Sequence, residues 1–214
     1  MMRPDSGYWA AGMPDVARSL PGWPDRIVLA SASPRRQQLL AQLGVQFEVR
    51  PADLDETPLP GEDARAHVER LAVAKAAAVA EPGEVVLAAD TTVELDGRIF
   101  GKPIDAGHAL EMLRLLRGRT HHVHTGVALL ADRVVKSTVV TSGVRLADAD
   151  DELLAWYVTT GESADKAGAY ALQGAGALLV AEIHGSPTNV IGLPLHEVHR
   201  LLASLPRDVR AGDK

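Results

Sequence analysis

Hydrophobic positions along the chain follow two different periods from Ile27 onward. Continuous apolar runs, such as residues 27–30 and 85–89, are typical of strands that are buried on both faces. Residues 63–80 instead place apolar side chains every three or four positions, which is the spacing of an amphipathic helix. Because strand and helix patterns alternate along the chain, the sequence predicts an α/β fold.

Turn and capping residues set the boundaries of the predicted elements. Pro34 opens a first helix that Gly44 closes, and Pro82-Gly83 ends the helix at 63–80. Asp96-Gly97 predicts a tight hairpin. The predicted strands are 27–30, 47–50, 85–90, 92–95, 98–100, 121–130, 134–146 and 177–183. The remaining predicted helices are 105–116, capped by Asp105, 148–159, capped by Asp148, and 193–205.

The two ends of the chain lack sustained periodicity. Residues 1–26 contain four prolines and three glycines, and they lack the apolar centre of a signal peptide. We interpret them as a mobile extension in which Trp9 and Trp23 could dock on the body. Residues 206–214 are expected to fray. Residues 27–205 are predicted to form one domain with two lobes.

Composition narrows the classes of function. The 214 residues are 46% hydrophobic and 23% charged, as in ordinary globular proteins, and are enough to bury a large core. The net charge of −6 disfavours binding to nucleic acid. Cysteine is absent, which excludes disulfides and thiolate metal sites and fits a reducing cytoplasm. No apolar run approaches the ~20 residues needed to span a membrane, so no membrane association is predicted.

The segment Ser31-Ala32-Ser33-Pro34-Arg35-Arg36 lies at a predicted junction of strand, turn and helix. Ser33 can cap the helix and Pro34 suits its first position. Free amides at the helix start, two hydroxyls and two guanidinium groups would converge there, and such a point attracts phosphate. A capped surface helix with two solvated arginines explains the same residues, and spacing leaves both interpretations open.

Other charged residues also fall at element ends or on inward faces. Lys75 lies on the apolar stripe of its helix, where it could either extend to the rim of the core or reach into a cleft. Lys102 follows the predicted hairpin, and Asp90 ends a predicted buried strand. With Asp55 and Glu56, this set suits a nucleoside triphosphate with a divalent metal. Each residue taken alone also fits a solvated surface.

Histidines and serines give weaker signals. His122 and His124 would share one strand face, as metal ligands can, but spacing fixes no third ligand and a polar strand face explains them as well. Ser31 and Ser33 lie outside any Gly-x-Ser-x-Gly elbow, so capping and phosphate contact explain them better than nucleophilic catalysis.

Taken together, these motifs resemble the Maf family of nucleoside triphosphate pyrophosphatases over residues 27–205. The residues that carry the resemblance are 29–36 (LASASPRR), 55–56 (DE), 89–91 (ADT), 101–103 (GKP), 118–127 (GRTHHVHTGV), 165–174 (DKAGAYALQG) and 192–194 (GLP). The resemblance implies a two-lobed mixed twisted sheet flanked by helices, with a central nucleotide cleft, as in inosine triphosphate pyrophosphatases. It also implies a homodimer.

The implied reaction hydrolyses a nucleoside triphosphate between the α and β phosphates, with Mg²⁺ or Mn²⁺. By resemblance, Asp90 is the general base and Glu56 lies near the metal with it. The residues that match the family's phosphate-binding groups are Ser31, Arg35, Arg36, Lys75 and Lys102. Arg35, Thr91 and Gln173 match positions associated with substrate choice.

The motif that contains Gln173 resembles the branch of the family that prefers dTTP and UTP. The resemblance therefore implies a preference for pyrimidine nucleotides, with CTP and modified pyrimidines as further substrates. A glutamine amide both donates and accepts, so it can match a pyrimidine edge. Two alternatives stay open at this point. One is a pyrophosphatase for the purine nucleotides ITP and XTP, and the other is a non-enzymatic binding protein of cell division and septum formation.

Overall fold

The computed structural model of the chain describes residue 20 and residues 23–206. The expectations for Trp9, for the rest of residues 1–19 and 21–22, and for residues 207–214 lie outside the described residues. Trp23 packs into the body: its side chain is buried, and its indole Nε1 donates to Nδ1 of His199 at 2.8 Å. No helix in the described part of the chain is long and apolar enough to cross a membrane.

Seven strands within the described residues form one sheet. They are β1 (Ile27–Leu29), β2 (Phe47–Val49), β3 (Val85–Leu95), β4 (Arg98–Phe100), β5 (Thr120–Ala131), β6 (Val134–Leu146) and β7 (Val180–His184). The α-helices are α1 (Pro34–Ala41), α2 (Ala64–Val79), α3 (Ala106–Leu116), α4 (Asp151–Thr159), α5 (Pro187–Ile191) and α6 (Leu195–Ala203). Short 3₁₀ helices span Ala167–Ala169 and Gly174–Leu179.

The strand order across the sheet is β2-β1-β3-β5-β6-β7, with β4 paired to β3. β1 runs parallel to both β2 and β3, whereas the other neighbours are antiparallel. The predicted mixed α/β fold is therefore confirmed. The predicted hairpin is also confirmed: Leu95 pairs with Arg98 across Asp96 and Gly97, whose φ angles of 53° and 78° suit a two-residue turn.

The predicted end of a strand at Asp90 is wrong, because β3 continues to Leu95. Its pairing with β5 is unbroken from Val85 to Glu94. This continuous pairing keeps β3 extended at Asp90 and beyond it. On the other side of β3, β1 pairs only as far as Leu87, and β4 pairs only from Val93 onward. The edge of β3 between them is open, and Asp90 lies in this gap.

Alternate side chains of β3 enter different cores. Leu87 and Ala89 pack with residues of α1 and α6, whereas Val86 and Ala88 pack against Ala72 and Ala76 of α2. The far end of β3 belongs to a separate core with α3 and α4. The long strands β3 and β5 thus contribute to all three cores, and the gap beside Asp90 lies where the cores meet.

Several predicted boundaries need correction. Asp150, not Asp148, caps α4: its side chain accepts from the amide of Leu153 at 2.8 Å. The strand predicted at 177–183 begins only at Val180, because residues 174–179 are wound into a 3₁₀ helix. Ser33 occupies the N-cap of α1 without a capping side-chain bond, and its amide donates to Oγ of Ser31 instead.

Gly126 permits an unusually close contact between α2 and the sheet. A Cβ atom at this position would lie 2.2 Å from the carbonyl oxygen of Val68 on α2. Gly126 also pairs directly with Asp90 in the sheet. The missing side chain therefore lets α2 approach the part of β3 that carries Asp90.

Candidate active site

A cleft of about 710 Å³ opens at the gap between β1 and β4. All the site residues predicted from the sequence line it, namely Ser31, Arg35, Arg36, Glu56, Lys75, Asp90, Thr91, Lys102 and Gln173. They come from separate elements: the turn after β1, the loop before α2, α2 itself, β3, the end of the hairpin and the loop after α4. The fold therefore brings together residues that lie more than a hundred positions apart.

The turn between β1 and α1 is organised by Arg36. Its Nε donates to the carbonyl oxygen of Gly192 at 2.8 Å, and its terminal nitrogens donate to Oγ of Ser31 at 3.1 Å and Oγ1 of Thr91 at 3.0 Å. Burial lowers the pKa of Arg36 from its usual value, while the charge of Asp90 opposes that shift. A guanidinium has five N–H donors. These three bonds fix the group and leave donors for an anion in the cleft.

Lys75 lies between two carboxylates at the floor of the cleft. Its side chain is buried, its Nζ donates to Oδ1 of Asp90 at 2.6 Å, and it also forms an ion pair with Glu56. The position follows from the packing: α2 faces the even-numbered residues of β3, so Lys75 meets Asp90 across that interface. The structure therefore selects the cleft over the rim of the core for Lys75.

Positive charge surrounds Glu56. Partial burial opposes its ionisation, but the hydrogen bond and charge of Lys75, followed by the charges of Lys102 and Arg36, hold the pKa of Glu56 below its usual value. Glu56 is therefore a carboxylate at neutral pH, ready to bind a cation.

The loop that carries Glu56 is held against α2 by Arg70 and Glu62. Arg70 donates to both carboxylate oxygens of Glu62, at 2.6 and 2.8 Å, and to the carbonyl oxygen of Thr57 at 3.3 Å. The second oxygen of Glu62 also accepts from the amide of Leu59 at 2.9 Å. The bond to Arg70 lowers the pKa of Glu62 to about 2. Arg70 and Glu62, which we call the clamp, thus bind the backbone directly after Glu56.

The opposite wall of the cleft is the glycine-rich loop after α4. Arg35 reaches it through an ion pair of 3.2 Å with Asp165. The amide of Gly168 donates to the carbonyl oxygen of Gly101 at 3.2 Å, which ties this loop to the segment that carries Lys102. The exposed side chain of Gln173 lies farther along the same wall.

Sequence reasoning did not single out four ionisable residues that line the cleft: His67, Asp165, Lys166 and Tyr170. His67 lies two helical turns before Lys75 on the same inward stripe of α2, and that spacing could have found it. The other three lie in the motif at 165–174, where sequence singled out only Gln173. Their proximity to the cleft depends on how the loop folds back.

His122 and His124 share a strand face as predicted, and their partner is Glu94. The distances to Oε2 of Glu94 are 3.4 Å from Nδ1 of His122 and 3.8 Å from Nε2 of His124. Within the described residues, no three or more His, Asp or Glu side chains are grouped in a way that could hold a metal ion. The structure therefore favours the polar strand face.

Glu56 and Asp90 fit a divalent cation that shares its coordination with a substrate. They already converge on one cation, the ammonium of Lys75, so this end of the cleft accommodates positive charge. Mg²⁺ in proteins is commonly held by one or two carboxylates together with phosphate oxygens and waters. Two carboxylates beside several cationic side chains that could hold phosphate fit this mode.

The fold and the cleft define an α/β protein that can hold a polyanion beside a small cation. The chain belongs to the family described as Maf-like protein, whose model matches residues 26–205. It is 54% identical over 189 residues to the dTTP/UTP pyrophosphatase of Myxococcus xanthus, covering 86% of this chain and 96% of that one. It is also 49% identical over 195 residues to the dTTP/UTP pyrophosphatase of Aromatoleum aromaticum, covering 84% and 95%.

Among solved structures, the chain is similar to the Ham1 protein of Staphylococcus aureus, with 20% identity and a TM-score of 0.41. That match covers 58% of this chain and 73% of the other.

Proposed function

We propose that this protein is a nucleoside triphosphate pyrophosphatase that hydrolyses dTTP and UTP to the monophosphate and pyrophosphate. The observation that carries the proposal is the convergence of five cationic side chains and three carboxylates on one cleft. Relatives that share about half of their residues with this chain over nearly their whole length are dTTP/UTP pyrophosphatases.

In the proposed complex, the triphosphate lies along the positively charged wall. Arg35 and Arg36 bind it at the start of α1, where free backbone amides also favour an anion. Arg35 exchanges its partner Asp165 for phosphate, and the cost is small because the carboxylate of Asp165 is 60% exposed. Lys75 and Lys102 neutralise charge on the phosphates and on the pyrophosphate that leaves.

Asp90 is the proposed general base. Lys75 binds one oxygen of its carboxylate, which fixes the group in the cleft, and the other oxygen can accept a proton from water. The oriented water then attacks the α phosphorus, the bond from that phosphorus to the bridging oxygen breaks, and pyrophosphate departs.

Glu56 and Asp90 are the residues proposed to hold Mg²⁺ or Mn²⁺. A bound ion of this kind neutralises phosphate charge and lowers the pKa of a water that it binds. Removal of metal with EDTA is expected to abolish turnover, and added Mg²⁺ or Mn²⁺ to restore it. Full activity in EDTA would contradict a requirement for metal.

Gln173 is proposed to contact the nucleobase, with Arg35 and Thr91 contributing to the choice of substrate. Its amide can pair with the carbonyl and N–H of uracil or thymine. The purine alternative, hydrolysis of ITP or XTP, and the binding role in cell division are not favoured by the relatives described above.

The test is to measure pyrophosphate and orthophosphate separately after incubation with dTTP, UTP, CTP, GTP, ITP and ATP in Mg²⁺. Pyrophosphate released fastest from dTTP and UTP is expected. Orthophosphate alone would show cleavage at the γ phosphate and contradict the mechanism. Faster turnover of ITP would favour the purine alternative, and no turnover of any nucleotide would favour the binding role.

We also propose that the protein acts as a homodimer, as the family resemblance implies, and that it works in the cytoplasm, which the lack of cysteine fits. Analytical ultracentrifugation is expected to give twice the chain mass of 22.7 kDa. A species of the chain mass at micromolar concentration would contradict the dimer.

A further inference from the structure

The backbone on either side of Gln173 is held by groups that lie behind the cleft wall. Gln173 is the residue before the 3₁₀ helix Gly174–Leu179. Its own side chain is exposed in the cleft, and the helix start makes no side-chain cap bond with it. Whatever orients Gln173 must therefore act through its neighbours.

Glu162 holds the segment after Gln173. Its Oε1 accepts from the amide of Ala175 at 3.0 Å and its Oε2 accepts from the amide of Gly176 at 3.0 Å. These amides belong to the first turn of a helix, where backbone donors lack partners within the helix. A single carboxylate thus satisfies two adjacent donors and fixes the direction in which this helix begins.

Tyr157 holds the segment before Gln173. Its side chain is fully buried, and its hydroxyl accepts from the amide of Ala171 at 3.1 Å. Burial raises the pKa of Tyr157 to about 12, so the hydroxyl stays neutral at physiological pH. A Cβ on Gly176 would lie 2.3 Å from the carbonyl oxygen of Ala171 and 2.9 Å from the Tyr157 hydroxyl. The backbone before and after Gln173, at Ala171 and Gly176, therefore packs closely against the Tyr157 hydroxyl.

We propose that Glu162 and Tyr157 are positioning residues that set the selectivity for a pyrimidine base by fixing the backbone on both sides of Gln173. Neither is among the residues that line the cleft, so each acts through the backbone and not through contact with the nucleotide. The inference rests on the proposed function of Gln173. A flexible amide discriminates between bases only if its donor and acceptor are held in place.

The main test is the ratio of kcat/KM for UTP to kcat/KM for GTP in Glu162→Gln. The glutamine keeps the shape of Glu162 but turns an NH₂ group toward one of the two backbone amides. The ratio is expected to fall ~10-fold, the factor that corresponds to the loss of about one hydrogen bond to the base. The loss should appear in KM for UTP, with kcat little changed, because the phosphate-binding groups stay in place.

Tyr157→Phe removes the other anchor and is expected to lower the same ratio without altering the cleft lining. Glu84→Gln is the matched control, because Glu84, like Glu162, accepts from a backbone amide but lies outside the cleft. Glu84 also accepts from Arg50. It should keep the wild-type ratio. Circular dichroism at the assay temperature checks that each variant is folded.

Folded Glu162→Gln and Tyr157→Phe proteins with ratios within about twofold of wild type would overturn the inference. So would an equal fall in Glu84→Gln, since that would reflect a general loss of stability. Calorimetric binding of α,β-methylene-UTP and α,β-methylene-GTP gives the same comparison without turnover. If the wild-type protein released no pyrophosphate, only the proposed function would be contradicted. The ratio of the two binding affinities would still test the positioning role of Glu162 and Tyr157.

Discussion

Asp90, Glu56 and Lys75 form the smallest unit on which the proposed mechanism depends. Two carboxylates share one ammonium, so the trio keeps a net negative charge inside a cleft whose other walls carry Arg35 and Arg36. Carboxylates and cationic side chains therefore lie close together in the cleft. A triphosphate and a divalent cation can bind side by side in such a site.

The first prediction concerns Asp90→Asn. The amide preserves the size of the side chain but cannot accept a proton from water, so turnover of UTP should fall by ~10²-fold or more while nucleotide binding is retained. Steady-state kinetics and calorimetry measure the two effects. Asp96→Asn, in the exposed hairpin turn, is the control and should keep full turnover, since asparagine also tolerates the positive φ of that position. Near-normal turnover in a folded Asp90→Asn protein would contradict the role of Asp90 as general base.

The second prediction concerns the pH dependence of stability. His121 is fully buried, and burial lowers its pKa from 6.5 to about 4. Below about pH 6.5 the unfolded chain takes up a proton that the folded protein does not accept until about pH 4, so the free energy of unfolding should fall across this window, by roughly 3 kcal/mol at its lower end.

His121→Gln removes this titration and can keep a hydrogen bond to the hydroxyl of Tyr170, which lies 2.8 Å from Nε2 of His121. Urea unfolding at several pH values should give a flatter pH dependence between 6.5 and 4 in the variant. Parallel curves for the two proteins would show that His121 does not control the acid sensitivity.

The set of candidate residues that line the cleft was predictable from sequence, because all of them except Lys75 lie in short, ordered motifs. The contact of Lys75 with Asp90 was not predictable. The spacing placed Lys75 on the inward stripe of its helix, but it did not show whether the side chain would face a carboxylate or solvent. Asp165 and Tyr170 were missed for a related reason. A glycine-rich loop shows no periodicity, so only its folded path reveals which side chains face the cleft.

At the scale of elements, the distance between α2 and the sheet sets the contact of Lys75 with Asp90. The third prediction is that Gly126→Ala destabilises the protein by about 1–3 kcal/mol, the range for an overpacked core, and also lowers turnover. The added methyl would meet the backbone of Val68, which cannot move without shifting α2.

Gly143→Ala on β6 is the matched control for Gly126→Ala. A Cβ there would lie no closer than 3.8 Å to its neighbours, which is ordinary contact. Urea unfolding and UTP kinetics should place Gly143→Ala near wild type. Equal effects of the two substitutions would mean that glycine is needed for strand flexibility and not for close approach.

The fourth prediction concerns the clamp on the loop that carries Glu56. Arg70→Lys loses the paired bonds to Glu62 and the bond to the carbonyl oxygen of Thr57, because lysine is a point charge on a flexible stem. The Mg²⁺ concentration for half-maximal turnover should rise about tenfold, the factor given by a loss of 1.4 kcal/mol. Amide hydrogen exchange of residues 55–62 should also become faster.

Arg50→Lys is the control for the clamp. Arg50 likewise donates to both oxygens of a glutamate, Glu84, and to a carbonyl oxygen, that of Val79, but at the far end of α2. It should leave the Mg²⁺ requirement unchanged. A tenfold shift in both variants, or in neither, would contradict a specific role for the clamp.

Elements with strong local signals were predicted well, and those set by distant contacts were not. α3 begins at its predicted cap, Asp105, and α2 begins where its helical pattern starts, with Asp63 as the cap; both side chains accept from nearby amides. The end of β3 was misplaced, because its length depends on pairing with β5, some forty residues along the chain. Residues 177–179 were predicted as strand but form the end of a 3₁₀ helix, because their apolar side chains suit both conformations. Glu162 accepts from two amides at the start of this helix.

At the scale of the whole molecule, the mixed class of the sheet followed from sequence, but the strand order did not. The parallel pairing of β1 with β3 and the antiparallel pairing of β3 with β5 together leave the open edge beside Asp90. The cleft is therefore a product of topology. Because the net charge of the chain is −6, a site for a polyanion must be local, and the cationic side chains in the cleft form such a site.

The most direct test of the central claim is hydrolysis of UTP in water enriched in oxygen-18, with mass spectrometry of both products. The proposed attack at the α phosphorus predicts that the label enters UMP and that pyrophosphate stays unlabelled. Label in pyrophosphate would show attack at the β phosphorus, and label in orthophosphate would show attack at the γ phosphorus. Either result would contradict the account of how Asp90 and the cleft act.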